Sequence, residues 1–320
     1  MISVLITGGL GYVGGRLATY LASLPNIRVS ITTRKKESEV SAYAIPSNIH
    51  IIYEFKPDEE RINDVMNKTD VVIHLAALNE IDCVKKPIDA VEVNVLDSFR
   101  LLASAEKNSI KKFIYFSTAH IYGAPLKGII TETNLPRPVH PYAVTHKSFE
   151  DFVLAARDSN KLNGIVLRLS NSFGAPSFPS AERWTLLVND LCRQAVSKKK
   201  LVLNSPGLQR RDFICLHDVC TAVKHFIEIN NEQSMDGIFN LGGDNAMRII
   251  DMAELIKERI RAVLGEKISL TVPVASEKEK SGDYFLRYDI SKLLSTGFSL
   301  TGNLHQEIDD TILFCKKHFD

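Results

Sequence analysis

A glycine-rich segment near the start of the chain constrains the fold more than any other feature. Residues 7–15 read Thr-Gly-Gly-Leu-Gly-Tyr-Val-Gly-Gly and directly follow the apolar run at 2–6. Apolar residues then recur with helical spacing at Leu17, Ala18, Leu21 and Leu24. A strand, a glycine-rich turn and a helix in this order are typical of the segment that binds the pyrophosphate of a dinucleotide.

The glycines of this turn explain why the segment suits a pyrophosphate. Gly8 permits the tight turn, Gly11 lets the backbone approach the anion, and Gly14 lets the helix pack closely on the strand. The backbone N–H groups at the start of the helix are predicted to face the phosphates. We therefore expect cofactor contacts from Gly8, Gly11, Tyr12, Val13 and Gly14.

Short β-type runs alternate with helical segments through the first half of the chain. Strands are predicted at 2–6, 28–33, 49–53, 71–75, 112–117 and 164–169, with helices at 12–24, 59–68, 88–107 and 143–158. This alternation predicts an α/β fold with a Rossmann-type doubly wound parallel sheet, which binds ligands at the carboxyl ends of its strands. After residue 170 the pattern loosens, with strands predicted at 201–203 and 212–215 and helices at 217–229 and 250–263.

Two domains are predicted from this change of pattern. A chain of 320 residues is long enough for one large or two modest domains. We expect residues 1–170 with 212–243 to form the dinucleotide-binding domain. Residues 171–211 with 244–320 are expected to form a smaller mixed α/β substrate-binding domain.

Charge and cysteine usage argue against several classes of partner. The 39 basic and 38 acidic residues give a net charge of +1, so there is no overall electrostatic case for binding nucleic acid or a membrane surface. No apolar run approaches the roughly 20 residues that span a bilayer. The five cysteines lack paired spacing, and no signal peptide is recognised, so we expect reduced thiols in a cytoplasmic protein. No metal site is predicted.

Further motifs follow in order along nearly the whole chain. They are Asp70-Val71-Val72-Ile73-His74-Leu75-Ala76-Ala77, Asn94-Val95, Ser117-Thr118-Ala119-His120-Ile121-Tyr122-Gly123, Pro141-Tyr142-Ala143-Val144-Thr145, Arg168-Leu169-Ser170-Asn171, Arg210-Arg211-Asp212-Phe213-Ile214, His217-Asp218-Val219, Asn240-Leu241-Gly242-Gly243 and Asp289-Ile290-Ser291-Lys292. Together with the glycine-rich turn, this series resembles the extended short-chain dehydrogenase/reductase family. That family contains nucleotide-sugar epimerases, dehydratases and ketoreductases.

The resemblance implies a catalytic pair. Tyr142 matches the catalytic tyrosine, and Thr118 matches the Ser/Thr that hydrogen-bonds the reacting oxygen of the substrate. Hydride transfer between a sugar carbon and nicotinamide requires a proton on the carbinol oxygen, which a phenol can donate or accept if its pKa, ordinarily near 10, is lowered. A second hydroxyl fixes the same oxygen.

The resemblance also implies binding residues. Leu75, Ala76 and Ala77 are expected to lie along the cofactor. Asn171 and Arg211 are expected near the diphosphate of a sugar nucleotide.

The first departure from the family pattern lies four residues after the tyrosine, where the family has a lysine. This lysine grips the nicotinamide ribose and lowers the tyrosine pKa by its charge. Here the position holds His146, and Lys147 follows one residue later, pointing away from Tyr142 on a regular helix. Three explanations stay open: His146 substitutes for the lysine, a local bulge brings Lys147 round, or the enzyme is impaired. We expect His146 to contact the cofactor and the tyrosine.

The second departure concerns the choice of cofactor. Members of the family that use NAD have an acidic residue at the end of the second strand, which binds the adenosine 2′-hydroxyl. Thr33 holds that position here and is followed by Arg34. Because no carboxylate opposes a 2′-phosphate and a guanidinium is placed to bind it, we expect NADP, with NAD as the alternative.

The third departure lies in Thr118-Ala119-His120. Dehydratases of the family have Thr-Asp-Glu here, and their carboxyl groups manage the loss of water from the sugar. Ala119 cannot transfer a proton, which disfavours a 4,6-dehydratase. His120 is either a second acid or base beside the substrate or a polar residue of the pocket wall.

The leading functional hypothesis is an NAD(P)-dependent oxidoreductase that acts on a nucleotide-activated sugar, with 4-ketoreduction as the expected reaction. The first alternative is a nucleotide-sugar 4-epimerase, which keeps its NAD bound. The second is a dinucleotide-binding sensor without turnover, which the loss of the lysine permits. The family's usual assembly makes a homodimer the expected state.

Overall fold

The computed structural model describes residues 1–41, 43–181, 183–229, 236–276 and 284–320. The chain divides into two units by its internal contacts. Unit 1 consists of Met1–Ala124, Glu132–Leu169 and Cys220–Asn240. Unit 2 consists of Pro125–Thr131, Ser170–Val219 and Leu241–Asp320.

The strands and helices are numbered in chain order. The strands are β1 (Ile2–Thr7), β2 (Ile27–Thr32), β3 (Ile49–Ile52), β4 (Val71–His74), β5 (Lys112–Thr118), β6 (Gly128–Ile130), β7 (Gly164–Leu169), β8 (Asn171–Phe173), β9 (Lys200–Val202), β10 (Arg210–Cys215), β11 (Ile238–Leu241), β12 (Ala246–Arg248), β13 (Ser269–Thr271) and β14 (Leu286–Tyr288). The α-helices are α1 (Tyr12–Ala22), α2 (Glu37–Val40), α3 (Glu59–Met66), α4 (Glu80–Lys85), α5 (Pro87–Val91), α6 (Ser98–Lys107), α7 (Pro141–Asp158), α8 (Leu187–Lys198), α9 (Leu216–Glu228), α10 (Ile249–Leu264), α11 (Ser291–Leu294) and α12 (Leu304–Phe319).

The central sheet has seven strands in the order β11-β7-β5-β4-β1-β2-β3. The five pairings from β7 to β3 are all parallel. Strand order reverses between β1 and β4, which creates the topological switch point where such sheets bind ligands. The predicted α/β class and the doubly wound parallel sheet are confirmed.

The strands of this sheet are continuous apolar runs because helices cover both faces of a parallel sheet. All seven residues of β5 and all four of β4 are buried. Side chains from β1, β4, β5 and β7 pack with residues of α3, α6 and α7 in one apolar cluster, whose largest members include Phe113 and Phe149. The cluster fixes the strands whose carboxyl ends hold the candidate site.

The segment predicted as one helix at 88–107 has a different geometry. Helix α5 is followed by a π-helical turn over Glu92–Asp97 before α6 begins. Within this turn Asn94 is buried, its Oδ1 accepts from Leu78 N–H at 2.7 Å, and its Nδ2 donates to Thr145 Oγ1 at 3.0 Å. Apolar periodicity does not encode these polar contacts, so the sequence predicted a continuous helix.

Unit 2 contains a three-stranded sheet in the order β12-β10-β8 and the two-stranded pairs β13-β9 and β14-β6. Helices α8, α10 and α12 surround a second apolar cluster that includes Trp184, Leu191 and Ile256. Arg259 of α10 donates from Nε to Asp309 of α12 at 2.7 Å. Helices α8 and α12 and several three-residue strands of this unit were not predicted from the sequence.

Candidate active site

The glycine-rich turn lies at the switch point of the central sheet. It follows β1 directly, and the register Thr7↔His74 places it beside the turn that follows β4. Gly8 has a φ of +72°, and a Cβ there would lie 3.0 Å from Ala76 N. A Cβ on Gly14 would lie only 2.2 Å from Gly8 O. Only glycine therefore fits this close packing of strand, turn and helix.

The first turn of α1 has no side chain that would neutralise the partial positive charge of the helix end. The N-cap residue Gly11 has no side chain to cap the helix, and the first turn contains no acidic residue. The partial positive charge of the helix end is therefore uncompensated from within α1. A helix end of this kind attracts anions.

A chain of buried hydrogen bonds joins the two turns. Thr7 Oγ1 accepts from the N–H groups of Leu75 and Ala76, both at 3.2 Å, and lies 2.7 Å from His74 Nδ1. His74 Nε2 lies 2.8 Å from Ser98 Oγ. Burial lowers the pKa of His74 to about 3, so the ring is neutral. Its Nδ1 accepts a hydrogen bond from the Thr7 hydroxyl. This arrangement fixes the segment from Leu75 to Ala77, the last of which is half-buried.

The end of β2 lies next to the glycine-rich turn, because Thr7 and Thr32 are partners in the register. Thr33 follows at once, and its Oγ1 accepts from Lys35 N–H at 3.1 Å. Arg34 is exposed, and no hydrogen bond or ion pair joins it to another residue in the described ranges. Its guanidinium is available to an anionic ligand at this edge of the sheet.

Tyr142 lies in the first turn of α7. The helix begins here because His140 caps it, with Nδ1 accepting from Tyr142 N–H at 3.2 Å, and because Pro141 occupies the first helical position. Thr118 ends β5 and is 5% exposed. Thr118 Oγ1 accepts from His120 N–H at 3.2 Å, and its own O–H donates to no described residue.

His146 is brought next to Tyr142, with 4.3 Å between the ring centroids. Its Nδ1 lies 2.6 Å from the Tyr115 hydroxyl. Its Nε2 is buried, and no described residue forms a hydrogen bond with it. Burial lowers the pKa of His146 to about 4; Glu80 opposes this effect, His120 lowers the pKa further, and a hydrogen bond with the Phe116 carbonyl raises it.

Lys147 points elsewhere. Helix α7 is a regular α-helix throughout, and Lys147 Nζ forms an ion pair with Asp151, four residues further along the same helix. The local bulge that would bring Lys147 to Tyr142 is therefore absent from α7, all of which is described.

His120 lies on the solvent side of the same cluster. It is exposed, and its ring centroid is 6.5 Å from that of Tyr142, in an edge-on arrangement. Its neighbour Ala119 is buried. The structure therefore brings Thr118, His120, Tyr142 and His146 together at the carboxyl end of β5.

In unit 2, Asn171 and Arg211 lie on neighbouring strands. The register Phe213↔Asn171 of β10 and β8 places both side chains on the same face of the three-stranded sheet. Asn171 Nδ2 donates to Asp212 O at 2.9 Å, which uses one of its two N–H groups. Burial lowers the pKa of Arg211, and Tyr284 opposes the effect; Gln209 Oε1, at 3.4 Å, is a weak partner.

Asp212 holds this part of β10 in place. Its carboxylate accepts from the Ser170 hydroxyl at 2.6 Å and from the N–H groups of Gly243 at 2.9 Å and Asn245 at 3.0 Å. Burial raises its pKa, and these hydrogen bonds oppose the effect. These hydrogen bonds hold the backbone around Gly243 and Asn245 against β10.

Sequence reasoning did not single out Tyr115 as part of the site. Tyr115 lies inside the apolar run of β5, where alternation and burial give no sign of a polar role. Its signal is indirect: a buried histidine at position 146 requires a hydrogen-bond partner, and a tyrosine on the adjacent strand can supply one.

The fold defines a Rossmann-like α/β protein, and its site combines a glycine-rich turn with a Tyr–Thr pair. Residues 4–242 match the model of the NAD dependent epimerase/dehydratase family. The chain therefore belongs to this family of enzymes.

Relatives within the family include dehydratases and epimerases. A dTDP-D-glucose 4,6-dehydratase of Dictyostelium discoideum is 25% identical over 272 residues, which covers 79% of this chain and 61% of that protein. A mouse (Mus musculus) dTDP-D-glucose 4,6-dehydratase is 23% identical, covering 99% of this chain and 89% of that protein. A putative UDP-glucose 4-epimerase of Methanocaldococcus jannaschii is 26% identical, covering 98% of this chain and 99% of that protein.

Solved structures show the same fold. The UDP-glucose 4-epimerase of Thermotoga maritima, in complex with UDP-glucose, has a TM-score of 0.82 and 22% identity, with 100% of each chain covered. The UDP-glucuronic acid 4-epimerase of Bacillus cereus, in complex with NAD, has a TM-score of 0.81 and 21% identity, again with 100% of each chain covered. Among the described residues, no helix is both long and apolar enough to cross a membrane.

Proposed function

We propose that the protein is an NADP-dependent 4-ketoreductase of a nucleotide-activated sugar. One observation carries the chemistry: Thr118, Tyr142 and His146 converge at the carboxyl end of β5, and Tyr142 and His146 have ring centroids 4.3 Å apart. The family membership supports a nucleotide sugar as substrate, because the relatives are named for dTDP- and UDP-sugars.

Three features of the chain fit a nicotinamide dinucleotide. The uncapped start of α1 suits the pyrophosphate, since it offers backbone N–H groups without an acidic side chain. Gly8 and Gly14 let the strand, turn and helix pack as closely as a dinucleotide-binding turn requires, since a Cβ at either position would collide with neighbouring backbone. The buried Nε2 of His146 has no partner among the described residues, as expected of a group that binds a ligand. When bound, the nicotinamide supplies or accepts the hydride.

The chain's own residues then manage the proton. Tyr142 donates its phenolic proton to the carbonyl oxygen of the sugar as that oxygen becomes a hydroxyl. Thr118 donates its O–H to the same oxygen and holds it in place. His146 orients the tyrosine and binds the ribose, but it does so as a neutral imidazole, without the charge of the family's lysine.

Arg34 supports NADP as the cofactor. It follows β2 at the edge where the adenosine ribose is expected to bind, and it is exposed without an internal partner in the described ranges. A guanidinium binds a phosphate through charge-assisted, often bidentate hydrogen bonds. No acidic residue stands at positions 33–36 to repel a 2′-phosphate.

The identity of the nucleotide that remains bound after purification tests this proposal. The protein is purified, denatured with perchloric acid, and the released nucleotides are separated by chromatography. A ketoreductase that exchanges its cofactor releases little nucleotide and consumes NADPH with a 4-keto-sugar nucleotide. Stoichiometric NAD and no NADPH consumption would contradict the assignment.

The second candidate is a nucleotide-sugar 4-epimerase. It is favoured by the structural neighbours, which include 4-epimerases that match over the full length of the chain. The same Tyr142 and Thr118 would serve oxidation and reduction at one carbon, and the cofactor would stay bound. Stoichiometric NAD together with interconversion of two sugar nucleotides would identify this activity.

A 4,6-dehydratase is the least suited of the family's activities, despite the dehydratases among the relatives. Loss of water requires groups that take a proton from the sugar and give one to the leaving hydroxyl. Ala119 has no titratable group, and His120 supplies one at most. We therefore propose His120 as a polar residue that faces the substrate.

We further propose that Arg211 and Asn171 bind the diphosphate of the substrate, so that unit 1 acts as the cofactor domain and unit 2 as the substrate domain. The desolvated guanidinium of Arg211 supports this role, because burial of a charge is unfavourable without a strong partner, and a diphosphate is such a partner. Asn171 has an amide N–H left to donate beside it.

A homodimer is the proposed assembly, supported by exposed apolar side chains on α5, α6 and α7. Phe99 and Phe152 are 43% and 42% exposed, and their rings contact each other with centroids 4.8 Å apart. Ile88, Val91 and Val144 are also exposed. Clustered exposed apolar side chains typically mark a protein interface. The five cysteines are all buried thiols and form no disulfide with one another, which supports a reducing, cytoplasmic setting.

A further inference from the structure

Tyr115 contacts both buried histidines of unit 1. Its ring is stacked on His146, with centroids 5.8 Å apart, and on His74, with centroids 5.7 Å apart. Its hydroxyl lies 2.6 Å from His146 Nδ1. The residue is 3% exposed, so its hydroxyl cannot exchange this partner for bulk water.

The hydrogens of this contact are determined by the available partners. Tyr115 has one O–H hydrogen, and among the described residues its hydroxyl lies within hydrogen-bond distance of His146. The Phe116 carbonyl also acts on the ring as a hydrogen-bond acceptor. If Nδ1 carried the hydrogen and donated it to Tyr115 or to this carbonyl, the buried O–H of Tyr115 would have no acceptor among the described residues, which is costly. The phenol therefore donates to Nδ1, and in the neutral ring the hydrogen lies on Nε2.

Burial keeps both groups in this state. It raises the pKa of Tyr115 well above its ordinary value, and Glu150 and Tyr142 act in the same direction. It lowers the pKa of His146. The titratable groups that face the imidazole are Tyr115, Tyr142, Glu80, His120 and, beyond Tyr115, His74. At neutral pH Tyr115 keeps its proton and His146 is uncharged.

We infer that Tyr115 is a positioning residue, which holds His146 in the tautomer that presents Nε2–H as a hydrogen-bond donor to the nicotinamide ribose. An ammonium group is a donor in every orientation, whereas a neutral imidazole is a donor at one nitrogen only. Two residues therefore take the place of the family's lysine in this chain: Tyr115 of β5 sets the tautomer, and His146 of α7 is the donor. This inference rests on the proposed function, since it assumes a bound nicotinamide nucleotide.

A double-mutant cycle of Tyr115→Phe and His146→Lys tests the inference. The Kd for NADP is measured by calorimetry for each variant of the full chain. Tyr115→Phe should weaken binding about three- to tenfold, the effect of one lost hydrogen bond. In the His146→Lys background the donor no longer depends on a tautomer, so Tyr115→Phe should leave the Kd unchanged there. Tyr122→Phe is the matched control, because it removes a phenol that contacts Arg168 and Asn240 and not His146.

A second pair of variants keeps Tyr115 intact and serves even where Tyr115→Phe does not fold. The amide nitrogen of His146→Gln takes the place of Nε2, whereas that of His146→Asn takes the place of Nδ1. Binding should be retained in the glutamine variant and lost about tenfold in the asparagine variant.

Four results would overturn the inference. Equal weakening by Tyr115→Phe in both backgrounds would make its role one of packing. If Tyr115→Phe leaves the Kd for NADP unchanged in the protein that keeps His146, the donor is another atom. The same follows if His146→Asn retains NADP binding and His146→Gln loses it. If the unmodified protein binds neither NADP nor NAD, the proposed function fails first, and the inference falls with it.

Discussion

Acidification is expected to destabilise the protein through His146. The side chain is 4% exposed, and its burial lowers the pKa from 6.5 to about 4. An unfolded chain binds this proton near pH 6.5, whereas the native protein binds it only near pH 4. Because the unfolded state binds more protons throughout this window, the free energy of unfolding falls as the pH is lowered through it.

The size of the loss follows from the difference between the two pKa values. A tenfold change in proton affinity is worth about 1.36 kcal/mol, so a pKa lowered from 6.5 to about 4 corresponds to about 3.4 kcal/mol. His74, with a pKa lowered to about 3, contributes a second loss that extends to more acidic pH. Replacing His146 removes its electrostatic effect on the pKa of His74, but burial is the larger cause of the His74 shift, so most of the His74 contribution stays in place and the comparison reports mainly on His146.

Urea unfolding followed by circular dichroism measures this loss. The unmodified protein, His146→Gln and the control His305→Gln are compared at about pH 7.5 and at about pH 4.5, which bracket most of the window. The unmodified protein should lose roughly 2–2.5 kcal/mol more than His146→Gln, because pH 4.5 reaches about two of the pH units between the two pKa values. The control, which replaces an exposed histidine, should follow the unmodified protein. Identical pH dependence in all three proteins would refute a buried neutral His146.

Three further substitutions test the proposed contacts. In calorimetry, Arg34→Ala should weaken NADP binding by about 1.5–3 kcal/mol and NAD binding little. Arg28→Ala, at the other end of β2, is the control. Equal losses for both cofactors would contradict a contact between Arg34 and the 2′-phosphate. Arg211→Ala should raise the KM for the sugar nucleotide and spare the Kd for NADP, whereas collapse of cofactor binding would make Arg211 structural. Phe99→Asp should shift sedimentation from dimer to monomer, and an unchanged dimer would place the interface elsewhere.

Much of the central sheet could be predicted because its strands are short apolar runs separated by helices. β1, β4 and β7 begin and end within one residue of the predicted limits. The π-helical turn at Glu92–Asp97 could not be predicted, because it depends on the buried contacts of Asn94 and not on local periodicity. In unit 2 the missed strands have three residues each, which is too short for alternation to be read.

The position of a candidate site residue was predictable where a motif places that residue next to a turn or at the end of a strand. Gly8, Thr118 and Tyr142 are of this kind, because their positions relative to β1, β5 and α7 follow from the chain itself. The state of His146 was not predictable in the same way. Its neutrality depends on complete burial, and its tautomer depends on Tyr115, a residue of another strand 31 positions away in sequence.

We propose that Tyr142 protonates the sugar oxygen while a hydride from the nicotinamide reduces the carbon that bears this oxygen. Incubation with NADPH dideuterated at the nicotinamide C4 and a 4-keto-sugar nucleotide tests it directly, with mass spectrometry of the product. We predict one deuterium on the sugar for each NADPH consumed by the unmodified protein, and none with Tyr142→Phe, which should still bind NADP. Deuterium transfer at an undiminished rate by Tyr142→Phe, or NADPH consumption without deuterium in the sugar, would contradict the claim.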